Sequence, residues 1–111
     1  MNAKQEFLGH TEGKDILCAE LSNNDDYYRD DRERIVLPVG YTATMLDSFL
    51  ALLDIEYDAG YGGQRLYGTI WYKDGTWSDR GEYDGSEWWV YQKAPDLPDS
   101  VKSGFLPEKG K

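Results

Sequence analysis

The sequence predicts an α+β domain: an antiparallel sheet, made of a three-stranded C-terminal meander and an N-terminal hairpin, packed on one main helix. Three observations predict it. Residues 66–93 hold all four tryptophans of the chain, and Asp74-Gly75 and Asp84-Gly85 each sit there between runs of aromatic and β-branched residues; Asp-Gly supplies the positive φ angles of tight hairpins. Residues 42–54 place apolar side chains at helical spacing. Residues 15–21 and 34–38 read as two strands joined by a long polar loop.

In chain order, residues 3–8 form a short helix closed by Gly9, with Phe7 and Leu8 as apolar anchors. Residues 11–13 turn the chain into the first strand, whose Leu17, Ala19 and Leu21 share a face. The loop 22–33 carries Asp25, Asp26, Asp30 and Asp31, and Pro38 ends the second strand. Thr42 caps the main helix, where Leu46, Phe49, Leu50 and Leu53 fall at i, i+3, i+4, i+7 and Met45 and Leu52 widen the stripe. Asp47, in an early turn, complements the positive helix end. Such a helix requires a sheet to pack on.

Ile55 and Tyr57 alternate with charged residues, so 55–58 reads as a short strand before the glycine-rich turn Gly60, Gly62, Gly63. The meander strands fall near 66–72, 76–83 and 87–92. Because side chains alternate along a strand, Trp88 and Val90 point one way and Trp89 and Tyr91 the other. One of these faces packs on the helix stripe; the other needs a cover or a partner. Residues 1–95 make one domain and 96–111, rich in Pro, Gly and charge, a tail whose Leu97, Val101, Phe105 and Leu106 are suited to dock on that second face.

Composition narrows the functional classes. A formal charge of -9 and a sequence pI near 4.4 disfavour attachment to phosphate backbones or anionic lipid, so a charged partner is expected to be basic. The one cysteine, Cys18, excludes an internal disulfide, and the N-terminal stretch lacks the apolar core of a signal peptide. A cytoplasmic location is the resulting expectation, with no membrane-spanning helix.

No pattern of residues announces catalysis, and no cofactor or metal is expected. The acidic loop lacks the alternating ligands, central Gly and terminal Glu of a calcium loop, and is read as solvated charge. The glycine-rich turn matches no phosphate-binding pattern. His10 and Cys18 are too few for a zinc site, and nothing orients them as a nucleophile and base. Glu82, Asp84 and Glu87 gather around one hairpin, where exposed carboxylates serve solubility as well as they would acid-base work. The tryptophans suit a sugar-stacking platform as well as a core, whereas a nucleic-acid platform lacks its basic groove.

The segments Ile55-Glu-Tyr-Asp58, Gly60-Tyr-Gly-Gly-Gln64, Leu66-Tyr-Gly-Thr-Ile-Trp71, Asp74-Gly-Thr-Trp77 and Glu82-Tyr-Asp-Gly-Ser-Glu-Trp-Trp89 resemble small uncharacterised proteins of tailed bacteriophages and prophages, over roughly residues 37–98. The resemblance brings no catalytic motif. It implies an accessory protein made inside a bacterial cell, of a kind that often binds host machinery and in some instances imitates DNA with carboxylates. The expectation is therefore a noncatalytic protein that binds, and inhibits, a host or defence protein with a basic surface. Its expected contacts are Trp77, Trp88, Trp89, Tyr91, Glu82, Asp84 and Glu87 in the meander and Asp25, Asp26, Asp30 and Asp31 in the loop. A small-ligand or sugar-binding module using the sheet tryptophans is the alternative, and an unpaired aromatic edge strand also invites a homodimer.

Overall fold

The computed structural model describes residues 1–23, 33–57, 64–83 and 86–95. They form a five-stranded antiparallel sheet and two helices, in the chain order α1 (Ala3–His10), β1 (Ile16–Asn23), β2 (Glu33–Leu37), α2 (Ala43–Leu53), β3 (Leu66–Tyr72), β4 (Trp77–Tyr83) and β5 (Ser86–Gln92). The strand order across the sheet is β2-β1-β3-β4-β5. The acidic loop with Asp25, Asp26, Asp30 and Asp31, the glycine-rich turn 60–63, Asp84 and the tail from residue 96 lie outside the described residues.

Two helices share the work that the sequence assigns to one. α1 begins at Asn2, whose side-chain oxygen accepts from the Gln5 amide at 2.9 Å, the usual way to satisfy a free N–H at a helix start. It runs through Gly9 and ends at Thr11, which returns both its amide and its hydroxyl to the Phe7 carbonyl. Gly9 is therefore not the stop. Ala3 and Phe7, four residues apart, are buried, while Leu8 lies about 100° further round the helix and is exposed.

The chain start is stitched to the segment after α2. The Ala3 amide donates to the Ile55 carbonyl and the Tyr57 amide to the Met1 carbonyl, both at 2.9 Å. The strand expected at 55–58 is reduced to one bridge, Asn2 opposite Glu56.

In α2, Thr42 accepts from the Met45 amide at 3.1 Å, as its sequence position predicts. Phe49 and Leu53 are buried, and Leu46 and Leu50 pack beside them. Met45 and Leu52 are half exposed and do not widen the stripe. Among the described residues the main contacts of α2 are with β2 and α1, which matches its narrow buried arc. Asp47 falls beyond the first turn, which holds no acidic residue.

β1 pairs with both β2 and β3, so it is an inner strand. Its buried face is Ala19 and Leu21, with Ile16, not Leu17, packed against the core. The cause is an irregularity in the ladder with β3, where Ile16 faces Tyr72 and Cys18 faces Trp71, so the alternation slips by one residue there. Gly68 makes the close approach of β3 to β1 feasible: its φ is 151°, and a Cβ would stand 2.5 Å from the Glu20 carbonyl oxygen.

β3, β4 and β5 are successive neighbours. The β3–β4 turn closes by Tyr72 N–H donating to the Thr76 carbonyl at 2.9 Å, with Gly75 at φ 89° and the Asp74 carboxylate taking the Thr76 amide and hydroxyl. The Asp-Gly pair thus performs the turn chemistry its sequence announces. The core lies between this sheet and both helices, with Phe7 edge-on to Phe49 at 5.2 Å and to Trp89 at 6.4 Å.

Candidate binding site

The ladder assigns every meander residue to a face. Ile70 opposite Ser78, and Arg80 opposite Trp89, belong to the helix side. Trp71 opposite Trp77, and Gly81 opposite Trp88, belong to the other side, on which no helix lies among the described residues. Three tryptophans from three adjacent strands therefore share the helix-free face. Trp71 is 39% exposed and Trp88 42%, while Trp77, the direct partner of Trp71 and four residues along β4 from the partner of Trp88, is half-buried. Gly81 accommodates the Trp88 ring: a Cβ there would meet its Nε1 at 2.9 Å.

Trp89 is 6% exposed and belongs to the core, which removes it from the accessible contact set. Tyr91 is half exposed yet lies on the helix side, where its ring stacks on His10 at 3.9 Å and its hydroxyl donates to the His10 carbonyl. Glu82 is exposed near the end of β4.

Glu87 departs furthest from expectation. Instead of a solvated hairpin carboxylate, it is fully buried in a network drawn from five parts of the chain. Its oxygens accept from the Arg65 amide at 2.7 Å, the Leu66 amide at 3.0 Å and Arg80 Nη2 at 2.6 Å. Arg80 also donates through Nη1 to Glu6 at 3.1 Å, through Nη2 to the Tyr57 hydroxyl at 3.0 Å and through Nε to the Leu66 carbonyl. Tyr57 in turn donates to Glu6, and the guanidinium lies 4.9 Å from the Trp89 ring centre.

Burial alone would lower the Arg80 pKa, but its bonds to Glu87 and Tyr57 and the Glu6 charge outweigh that and raise it. Burial and the Glu6 bond hold the Tyr57 hydroxyl far above the usual phenol range. The cation is thus permanent and the phenol stays a donor. Two carboxylates share one guanidinium in this interior, which rules out reading Glu87 as an accessible acid. The Trp89 Nε1 beside it is buried without a hydrogen-bond partner among the described residues.

A second polar chain joins α1 to the sheet. His10 Nε2 stands 2.8 Å from Ser78 Oγ, and the Tyr72 hydroxyl stands 2.7 Å from the same oxygen. Burial lowers the His10 pKa, opposed by Glu6 and assisted by Arg80 and Lys14. Neither network is visible in the sequence, because their members lie up to 74 residues apart with no shared motif. A polar residue such as Ser78 or Arg80 at an inward position of a strand was the one available signal. Ser78 has no exposed surface, so its hydroxyl, although next to an imidazole, offers no face to a substrate in this conformation. His10 and Cys18 are not a pair: Cys18, opposite Trp71, is on the other side of the sheet.

Among the described residues no cluster of three or more His, Cys, Asp or Glu is placed to hold a metal, and no helix is long and apolar enough to cross a membrane. No protein-family model matches the chain, and no curated protein or solved structure is significantly similar to it.

Proposed function

We propose that this is a noncatalytic binding protein whose partner, another protein, seats on the helix-free face of the sheet around Trp71, Trp77 and Trp88. The observation that carries this reading is the gathering of three tryptophans from β3, β4 and β5 on one face, two of them with about two-fifths of their surface in water. A tryptophan already fixed in a ladder loses little side-chain freedom on contact and buries much area, which makes it a favoured interface anchor.

The acidic balance of the chain favours a partner with a basic surface and speeds its approach. In the phage setting that the sequence resemblance implies, the partner is a host or defence protein and binding inhibits it. DNA mimicry is the weaker version of this proposal, because Glu87 and Glu6 spend their charge on Arg80 in the interior. A mimic needs its carboxylates outside.

The alternative, a sugar or small-ligand platform, draws on the direct cross-strand pairing of Trp71 with Trp77, which brings two tryptophans to opposite positions on one face. One experiment addresses both. Tagged wild-type protein and a Trp71→Ser/Trp88→Ser variant are used to capture proteins from bacterial lysate, and both are titrated with a panel of oligosaccharides while tryptophan emission is followed. A protein retained by the wild type and lost by the variant supports the reading. Equal retention by both would sink it, and saturable emission changes with a sugar would move the assignment to the alternative.

A further inference from the structure

A second site lies at one end of the sheet, where the turn before β1, the β3–β4 turn and the end of β5 meet. Lys14, Thr76, Tyr91, Gln92 and Lys93 line an open cleft of about 330 Å³ there, within the size range of small-ligand sites. Its charge runs against that of the molecule. The chain has 21 acidic residues against 12 basic ones, yet two of the five residues lining this cleft are lysines and none is acidic.

The cleft is held in place by its surroundings. Gly13, at φ 79°, turns the chain, and the Lys14 amide donates to the Thr11 carbonyl at 2.9 Å. The Lys73 amide donates to the Asp15 carbonyl at 2.9 Å and so ties this turn to the β3–β4 turn. The Lys14 ammonium lies 5.4 Å from the Tyr72 ring centre and 5.1 Å from that of Tyr91, where two aromatic faces hold it. Neither Lys14 nor Lys93 is in an ion pair among the described residues. Of the nearby carboxylates, Asp74 accepts from Thr76 and also feels the Lys14 charge, both of which lower its pKa, and Asp79 accepts from Gln92 Nε2 at 3.2 Å. The His10 stack and the hydroxyl bond to the His10 carbonyl fix the Tyr91 ring as an apolar wall.

We infer that this cleft binds a small organic anion, its phosphate or carboxylate between the Lys14 and Lys93 ammonium groups and its apolar part against Tyr91. Two ammonium groups that line one cleft can each give an anion a charge-assisted hydrogen bond. At physiological ionic strength charges more than about 8 Å away are largely screened, so the field at the cleft is set by its two lysines together with the adjacent Asp74 and Asp79 and not by the acidic remainder of the surface. Tyr91 offers the apolar part of an organic anion a contact that a bare inorganic ion cannot make.

The test is an amide-resolved NMR titration of the full chain with adenosine monophosphate, with benzoate and with inorganic phosphate, separating the phosphate source, the carboxylate source and the unattached ion. The expected result is saturable shifts of the Lys14, Thr76, Tyr91, Gln92 and Lys93 amides with at least one organic anion. Lys93→Met and Lys14→Met should each weaken that binding by about tenfold, the cost of one charge-assisted bond. Lys4→Met, on α1 away from the cleft, should leave it unchanged, and the spectrum of each variant reports whether it is folded. The inference is overturned if none of the three probes shifts these amides at about 10 mM, if inorganic phosphate binds as tightly as the organic anions, or if Lys4→Met weakens binding as much as Lys93→Met.

Discussion

Trp88 and Trp89 are neighbours in the chain and opposites in their surroundings. Trp88 lies across Gly81 on the helix-free face, with 42% of its surface in water; Trp89 is packed against Phe7 and the Arg80 guanidinium, with 6%. The same residue type does two jobs because a strand turns successive side chains to opposite faces. The two faces of β5 therefore divide folding from contact with a partner, and substitutions on each should behave accordingly.

The largest difference is expected from the pair itself. Trp89→Ala removes a buried ring from the junction of α1 with the sheet and should cost about 3–5 kcal/mol, whereas Trp88→Ala should cost under about 1 kcal/mol. Urea unfolding of the two variants measures this. Equal losses would mean that the tryptophan face is structural, and the proposed contact surface would lose its basis.

Next in size is the interior charge network. Arg80→Met keeps most of the side-chain volume but leaves Glu6 and Glu87 without their counter-charge, and Glu87 has no exposed surface through which water could compensate. A loss of about 3 kcal/mol is expected. Arg80→Met/Glu87→Gln should recover part of it, because the uncompensated buried charge is gone, although the one carbonyl oxygen of glutamine can accept from only one of the Arg65 and Leu66 amides, which bond different oxygens of Glu87. No recovery in the double variant would show that the Arg80 contribution is packing against Trp89 and not charge.

How much of this could be read from the residues alone follows from the range of each interaction. Strand alternation is local, so the opposite directions of Trp88 and Trp89 and the bounds of β3, β4 and β5 were legible to within about a residue or two. The Thr42 cap and the Asp74-Gly75 turn were legible for the same reason: their chemistry closes within four residues. The slip at Ile16–Cys18 was not, because the partner strand imposes it, and Leu17 was consequently assigned to the wrong face. Glu87 was misread as a surface acid because its burial depends on Glu6, Tyr57 and Arg80, three residues that share no spacing rule with it. Leu8, Met45 and Leu52 were assigned inward because an apolar pattern states which residues can be buried, and only the packed partners decide how wide the buried arc becomes. Strand order had no local signature at all.

The smallest expected effect sharpens the comparison from the helix side. His10 links α1 to Ser78 and stacks on Tyr91, and the charged groups around it are Glu6, Arg80 and Lys14. Burial, the largest influence, holds its folded-state pKa below the ordinary 6.5. Below pH 6.5 the unfolded chain therefore takes up a proton that the folded chain resists, so the unfolded state binds more protons and stability falls with falling pH. The contribution is intact above pH 6.5 and is lost as the pH drops through the lowered folded value. In His10→Gln, the amide can still bond Ser78 but cannot titrate in this range. The unfolding midpoint measured from pH 7.5 down to 5 should decline more steeply in the wild type than in His10→Gln, while Trp88→Ala should follow the wild-type curve. Parallel curves for wild type and His10→Gln would mean that protonated His10 is accommodated on the helix side without loss, and the ties from α1 to β4 and β5 would then be looser than the 2.8 Å contact to Ser78 implies.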